Sequence, residues 1–82
     1  TPSLAARFAA REAVMKAMGV GLGAFEFHDV WVQRAESGRP TLAVTGRAEQ
    51  IAYDLGVTDW HLSITHTDST AIAYVIAVRS LP

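Results

Sequence analysis

The stretch "RFAAREAVMKAMG", Arg7 to Gly19, constrains this chain more than any other. Rich in Ala, Met, Glu and Lys, it predicts a helix running from a Thr1 or Ser3 cap to about Met18, with Gly19 as the residue that stops it. At 100° per residue, Ala6, Ala9, Ala10, Ala13 and Ala17 form a broad small-residue face, and Leu4, Phe8 and Met15 form a bulky stripe. Both faces are expected to be buried. Such a helix needs partners on two sides. A chain of 82 residues, 50% hydrophobic and 18% charged, can build one small core to supply them but not two. Residues 1–82 are therefore read as a single domain.

The rest of the chain alternates strand and helix patterns, with no repeat or low-complexity linker. "HDVWVQRA" puts Val30 and Val32 on one side and Trp31 on the other. "ESGRP" then supplies a turn before "TLAVT", and together they predict a hairpin. "GRAEQIAYDLG" carries Ala48, Ile51, Ala52 and Leu55 at helical spacing and ends at Gly56. "WHLSITH" alternates Leu62 and Ile64 against Ser63 and Thr65. "TAIAYVIAV" is a continuous apolar run of the kind buried on both faces, and the polar "TDST" between the two predicts a further hairpin. The sum is an α+β fold, with helices packed on one face of a mostly antiparallel sheet.

Several function classes are excluded at this level. The formal net charge is −1 with no Lys/Arg stripe, so nucleic acid is not an expected partner. There is no cysteine, hence no disulfide framework, thiolate metal site or thiol nucleophile. The longest apolar run, Ala71 to Val78, is too short to span a bilayer, so no membrane segment is expected and the reading is cytoplasmic. "GVGLG" at Gly19–Gly23 follows a helix, whereas a phosphate-cradling loop follows a strand and opens a helix. His28, Asp29 and His61 match no metal-ligand spacing, and Asp29 fits strand-entry chemistry better. Ser63 and Thr65 lack a relay partner for an acyl-enzyme nucleophile. Trp31, Trp60 and Tyr74 are the core or interface aromatics of such a chain.

On the helix, Arg7 and Arg11 share one flank of the bulky stripe, and Glu12 and Lys16 share the other. Two accounts of Glu12 and Lys16 fit this placement. They form an ordinary i,i+4 ion pair on a solvated strip, contributing roughly 0.2–0.5 kcal/mol. Alternatively, a carboxylate and an ammonium in fixed relation hold a divalent cation and a phosphate oxygen, respectively.

The helix "RFAAREAVMKAMG" closely resembles the R-F-A-x-K-E-A-x-x-K-A-x-G helix of the holo-acyl-carrier-protein synthase branch of the 4′-phosphopantetheinyl transferases. "GRP" at Gly38–Pro40 is similar to that family's G-[KR]-P turn. "WHLSITHTDSTAIAYVIA" resembles its S-[LI]-[ST]-H motif followed by a small-residue strand. The three occur in family order and spacing over nearly the whole chain, which corresponds to about the C-terminal two-thirds of the family's length.

The resemblance implies transfer of 4′-phosphopantetheine from coenzyme A to a serine of acyl carrier protein, with Mg²⁺ or Mn²⁺ and release of 3′,5′-ADP, in fatty acid biosynthesis. It makes Glu12 a metal ligand and Lys16 a contact to the coenzyme A phosphates. Arg39 and His66 become contacts to the nucleotide's phosphates, Thr65 adds a hydroxyl, and Arg7 contributes more peripherally. The glycine loop after the helix falls near the family's pantetheine channel. Enzymes of this branch are trimers with the site between subunits, so a homotrimer is expected. Arg11 stands where the family has lysine, which keeps the charge but changes its geometry. The family also carries an upstream G-x-D strand whose aspartate is a second metal ligand. No counterpart is found among the 82 residues. The chain is therefore expected to lack its N-terminal strand and, by itself, to bind nucleotide weakly without transfer. The competing readings are a non-catalytic transferase-like module of a larger synthase and a generic ferredoxin-like binding domain.

Overall fold

The computed structural model describes residues 4–67 and 70–79, excepting the side chain of His66; the Thr1 or Ser3 cap and the middle of "TDST" lie outside these residues. Helix α1 spans Leu4–Met18, and a single 3₁₀ turn at Phe27–Asp29 leads into β1, Val30–Arg34. Strand β2 is Pro40–Val44, helix α2 is Gly46–Asp54, β3 is Val57–His66 and β4 is Ala71–Arg79.

The end of α1 is set by Gly19, which takes φ +69°, a left-handed conformation that only glycine adopts at little cost. Val20 N–H donates to Met15 O at 3.0 Å and Gly19 N–H to Lys16 O at 3.1 Å, the paired bonds of a Schellman motif. This satisfies the last carbonyls and turns the chain sharply at the base of the helix.

The strands form two antiparallel two-stranded sheets, β1–β2 and β3–β4. In the first, Val30 faces Val44 and Arg34 faces Pro40; in the second, Trp60 faces Ala77 and His66 faces Ala71, with a register shift between Val57 and Asp59. The mixed helix and antiparallel-strand architecture expected from the pattern is present. The refinement is that β2 runs beside β3 without joining it in a hydrogen-bonded ladder. Helix α1 packs across both sheets, against β4 and β1, and touches β3.

Val14, Met15, Met18, Phe25, Val30, Ala48 and Ala52 form the core, with Leu42, Val44, Ile51, Val57, Trp60 and Val75 packed around it. The buried residues of α1 are Ala6, Ala10, Val14 and Met18, spaced by one turn, together with Met15; of these Val14, Met15 and Met18 belong to this core. Two expectations are corrected here. Leu4 and Phe8 are 61% and 46% exposed, because the described elements cover α1 on one side only. Strand β4 is not buried on both faces either: Ile72, Tyr74 and Ile76 are 50%, 71% and 63% exposed. An apolar run read without its neighbours cannot separate a strand covered twice from one covered once.

Asp29 ties the 3₁₀ turn to α2. Its Oδ2 accepts the backbone N–H groups of Glu26 and Arg47, each at 3.1 Å, and of Ala48 at 3.4 Å. Thr45, the N-cap position of α2, makes no side-chain cap; its hydroxyl donates to Asp29 O at 3.0 Å instead. Asp29 therefore does the capping of α2 from the preceding hairpin.

Candidate functional site

Glu12 and Lys16 are both exposed on the edge of α1 that faces β4. They line an open groove of about 540 Å³ with Ala9, Ala13 and Ala17 of the helix and Ala71 to Val75 of the strand. Alanine on three successive turns keeps the helix wall low, so the carboxylate and ammonium are the tallest groups on that wall. A second hollow of about 220 Å³ adjoins the same two residues, bounded by Met15, Val20 and Leu22. The chain reversal at Gly19 is what brings Val20 and Leu22 back beside Lys16. Glu12 and Lys16 thus stand between a strand-lined groove and a loop-lined one.

Among the described residues the one ion pair is His61 Nε2 to Asp59 Oδ2 at 3.8 Å, so the i,i+4 pairing of Glu12 with Lys16 is not formed. Each charge remains available to a ligand. Mg²⁺ is held by one or two carboxylates together with substrate phosphates, so a lone exposed carboxylate beside an ammonium suits that ion. No group of three or more His, Cys, Asp or Glu side chains is gathered for a metal among the described residues, and Asp29 is engaged with α2. Any cation at Glu12 would need further oxygen donors from elsewhere.

The remaining candidates divide. Backbone pairing sets His66 beside Ala71 and Thr65 beside Ile72, so the end of β3 lies one strand beyond the β4 wall of the groove, and no described β3 residue lines the groove itself. Thr65 is exposed. Arg39 lies apart. It leaves the β1–β2 turn, in which Gly38 N–H donates to Ala35 O at 2.8 Å and Ala35 N–H to Arg39 O at 2.9 Å. Its side chain borders a separate hollow between β2 and β3. Arg7 is on the opposite flank of α1, with its guanidinium 5.5 Å from the Phe27 ring centre. One chain therefore gathers Glu12 and Lys16 at one groove, while Arg39, Arg7 and the described part of the β3 end lie outside its lining.

Three features escaped reading from the sequence. Arg11 lies 5.6 Å from the Phe25 ring and 5.8 Å from the Phe27 ring; its Nε is buried without a hydrogen-bond partner among the described residues. Nothing in the sequence spacing pairs positions 11, 25 and 27. The capping role of Asp29 is equally a tertiary event. The Asp59–His61 pair was accessible in principle, since residues two apart on a strand share a face.

Residues 1–75 match the 4′-phosphopantetheinyl transferase superfamily. The holo-[acyl-carrier-protein] synthase of Micrococcus luteus is 49% identical over 79 residues, covering 94% of this chain and 62% of that protein. The one from Koribacter versatilis is 51% identical over 73 residues, 88% of this chain and 58% of its own length. This chain thus spans about 60% of the length of these relatives. Among solved structures, Plasmodium yoelii acyl carrier protein synthase with ADP bound superposes with a TM-score of 0.78 at 36% identity, over 90% of this chain and 56% of that one. Helicobacter pylori holo-[acyl-carrier-protein] synthase in complex with coenzyme A gives a TM-score of 0.74 at 27% identity, over 90% and 63%. Sequence and fold agree, and the chain belongs to the 4′-phosphopantetheinyl transferase superfamily.

Proposed function

We propose that the protein containing this chain transfers 4′-phosphopantetheine from coenzyme A to a serine hydroxyl of acyl carrier protein, releasing 3′,5′-ADP. The observation that carries the reading is the unpaired Glu12 and Lys16 at the junction of two open hollows, on a helix whose sequence is the family's most specific motif. The serine hydroxyl releases its proton to solvent as its oxygen forms a bond to the phosphorus that bears pantetheine, and the bond from that phosphorus to the oxygen of the departing 3′,5′-ADP breaks. Negative charge grows on the leaving phosphate. Lys16 offsets it with a fixed ammonium, and such electrostatic placement carries much of the catalysis in phosphoryl transfer. Glu12 would hold Mg²⁺ or Mn²⁺, which when bound neutralises pyrophosphate oxygens.

Arg39 and His66 bind the nucleotide's phosphates, Thr65 donates a hydroxyl, and Arg7 adds a peripheral positive charge. Arg39 does not line the Glu12 groove of its own chain, which supports a site completed by a second copy in a homotrimer. The exposed Ile72, Tyr74 and Ile76 supply the apolar face such an assembly would cover. We place the enzyme in the cytoplasm and in fatty acid biosynthesis.

Mass spectrometry of apo acyl carrier protein incubated with coenzyme A, Mg²⁺ and the full-length protein tests the reading. A phosphopantetheine mass increment on the carrier is expected. Binding of carrier or coenzyme A with no increment would favour the non-catalytic module.

A further inference from the structure

Strands β2 and β3 run side by side without ladder hydrogen bonds, and a hollow of about 180 Å³ opens between their edges. Arg39 borders it from the β1–β2 turn and Thr41 from β2; Asp59, Trp60 and His61 border it from β3. Liquid water occupies about 30 Å³ per molecule, so the space suits a compact group such as one phosphate and not a whole coenzyme. The register shift between Val57 and Asp59 interrupts the strand where this wall begins, and such irregularities re-aim the side chains beside them.

The wall is ordered around one carboxylate. Asp59 Oδ1 accepts the backbone N–H of Trp60 at 2.8 Å, and Asp59 Oδ2 lies 3.8 Å from His61 Nε2. The imidazole is thereby oriented with Nε2 toward Asp59, while the His61 side chain stays 65% exposed and presents its other edge to solvent. In the imidazolium form both ring nitrogens donate, so one ring can serve Asp59 at Nε2 and an anion at Nδ1. With Arg39 on the facing wall, a dianionic group would meet two donors of positive charge, and Asp59 Oδ1 is already engaged by Trp60 N–H.

We infer that His61, held by Asp59 and sharing this hollow with Arg39, binds a phosphate monoester of the nucleotide, with Asp59 as its positioning residue. The inference rests on the coenzyme A reading above and adds to it a residue that none of the matched motifs assigned. Charge-assisted contacts of this kind contribute enough that removing one lowers affinity by roughly tenfold.

The test is calorimetry on the full-length protein with four probes: 3′,5′-ADP, 3′-AMP, 5′-AMP and adenosine. H61A is expected to weaken 3′,5′-ADP about tenfold and leave adenosine unchanged. H61Q, which keeps a donor without the charge, should fall between. D59N should weaken 3′,5′-ADP by a few-fold while retaining the acceptor for Trp60 N–H. A loss shared by 3′-AMP but not 5′-AMP assigns the contact to the 3′-phosphate, and the reverse pattern assigns it to the 5′-phosphate. Unchanged 3′,5′-ADP affinity in folded H61A, or an equal loss with adenosine, overturns the inference and leaves the transfer reading standing. Wild-type protein that binds none of the phosphorylated probes overturns both.

Discussion

Asp29 accepts the backbone N–H of Arg47 at 3.1 Å, so a residue at the entry to one strand caps a helix that starts only after the following strand has ended. The same carboxylate explains the glycine at position 46. A Cβ there would lie 2.5 Å from Asp29 Oδ1, and Gly46 has φ +57°. The first hairpin and α2 are thereby fixed relative to each other, and the Arg39 turn sits at the other end of that hairpin.

Asp29→Ala should destabilise the fold by about 1–2 kcal/mol, the usual loss for a helix cap. Gly46→Ala should cost about 2 kcal/mol, combining left-handed strain with displacement of the carboxylate. Because the two share one contact, the double variant should lose less than the sum, by at least about 0.5 kcal/mol. Urea denaturation of the four proteins measures this. Strict additivity would show that Gly46 and Asp29 do not act on one another.

Lys16→Ala should lower kcat by roughly 10- to 100-fold while raising the KM for coenzyme A much less, since its proposed work is on charge that develops in the transition state. Steady-state kinetics with varied coenzyme A checks the split. An equal loss in both parameters would make Lys16 a plain binding residue.

How much of this was legible beforehand depended on whether the cause was local. The stop at Gly19, the alternation of Val30 and Val32 with Trp31, and the helix ended by Gly56 follow from nearby residues and were readable. The Glu12 and Lys16 edge was readable too, because helical periodicity alone puts both on one flank. What could not be read was which faces would be covered. Leu4, Phe8, Ile72, Tyr74 and Ile76 are as apolar as the core residues, and only the placement of α1 decides that they remain exposed. The partners of Arg11 and Asp29 are likewise long-range, lying 14 and 18 residues away.

Tyr74→Glu and Ile76→Glu should dissociate the proposed homotrimer, since each puts a charge into the apolar face that a second copy would cover. Sedimentation velocity is expected to show monomers for the variants and trimers for the wild type. A wild-type monomer across the micromolar range would remove the shared-site proposal.

Mixing the singly inactive Glu12→Gln and His66→Ala proteins should restore part of the activity if a site combines Glu12 of one copy with His66 of another. Activity is read after the two are unfolded and refolded together. Failure in a verified mixed trimer would mean that each site is built within one chain.

The central claim is tested most directly by the carrier itself. Apo acyl carrier protein is incubated with coenzyme A, Mg²⁺ and full-length protein, either wild type or Glu12→Gln, and its mass is measured. Gln preserves the shape of the side chain and removes the charge that a hard dication requires. The expected result is a phosphopantetheine increment with the wild type and at least a 100-fold slower one with Glu12→Gln at unchanged thermal stability. Equal rates of modification by the two proteins, or no modification by the wild type, would contradict the account.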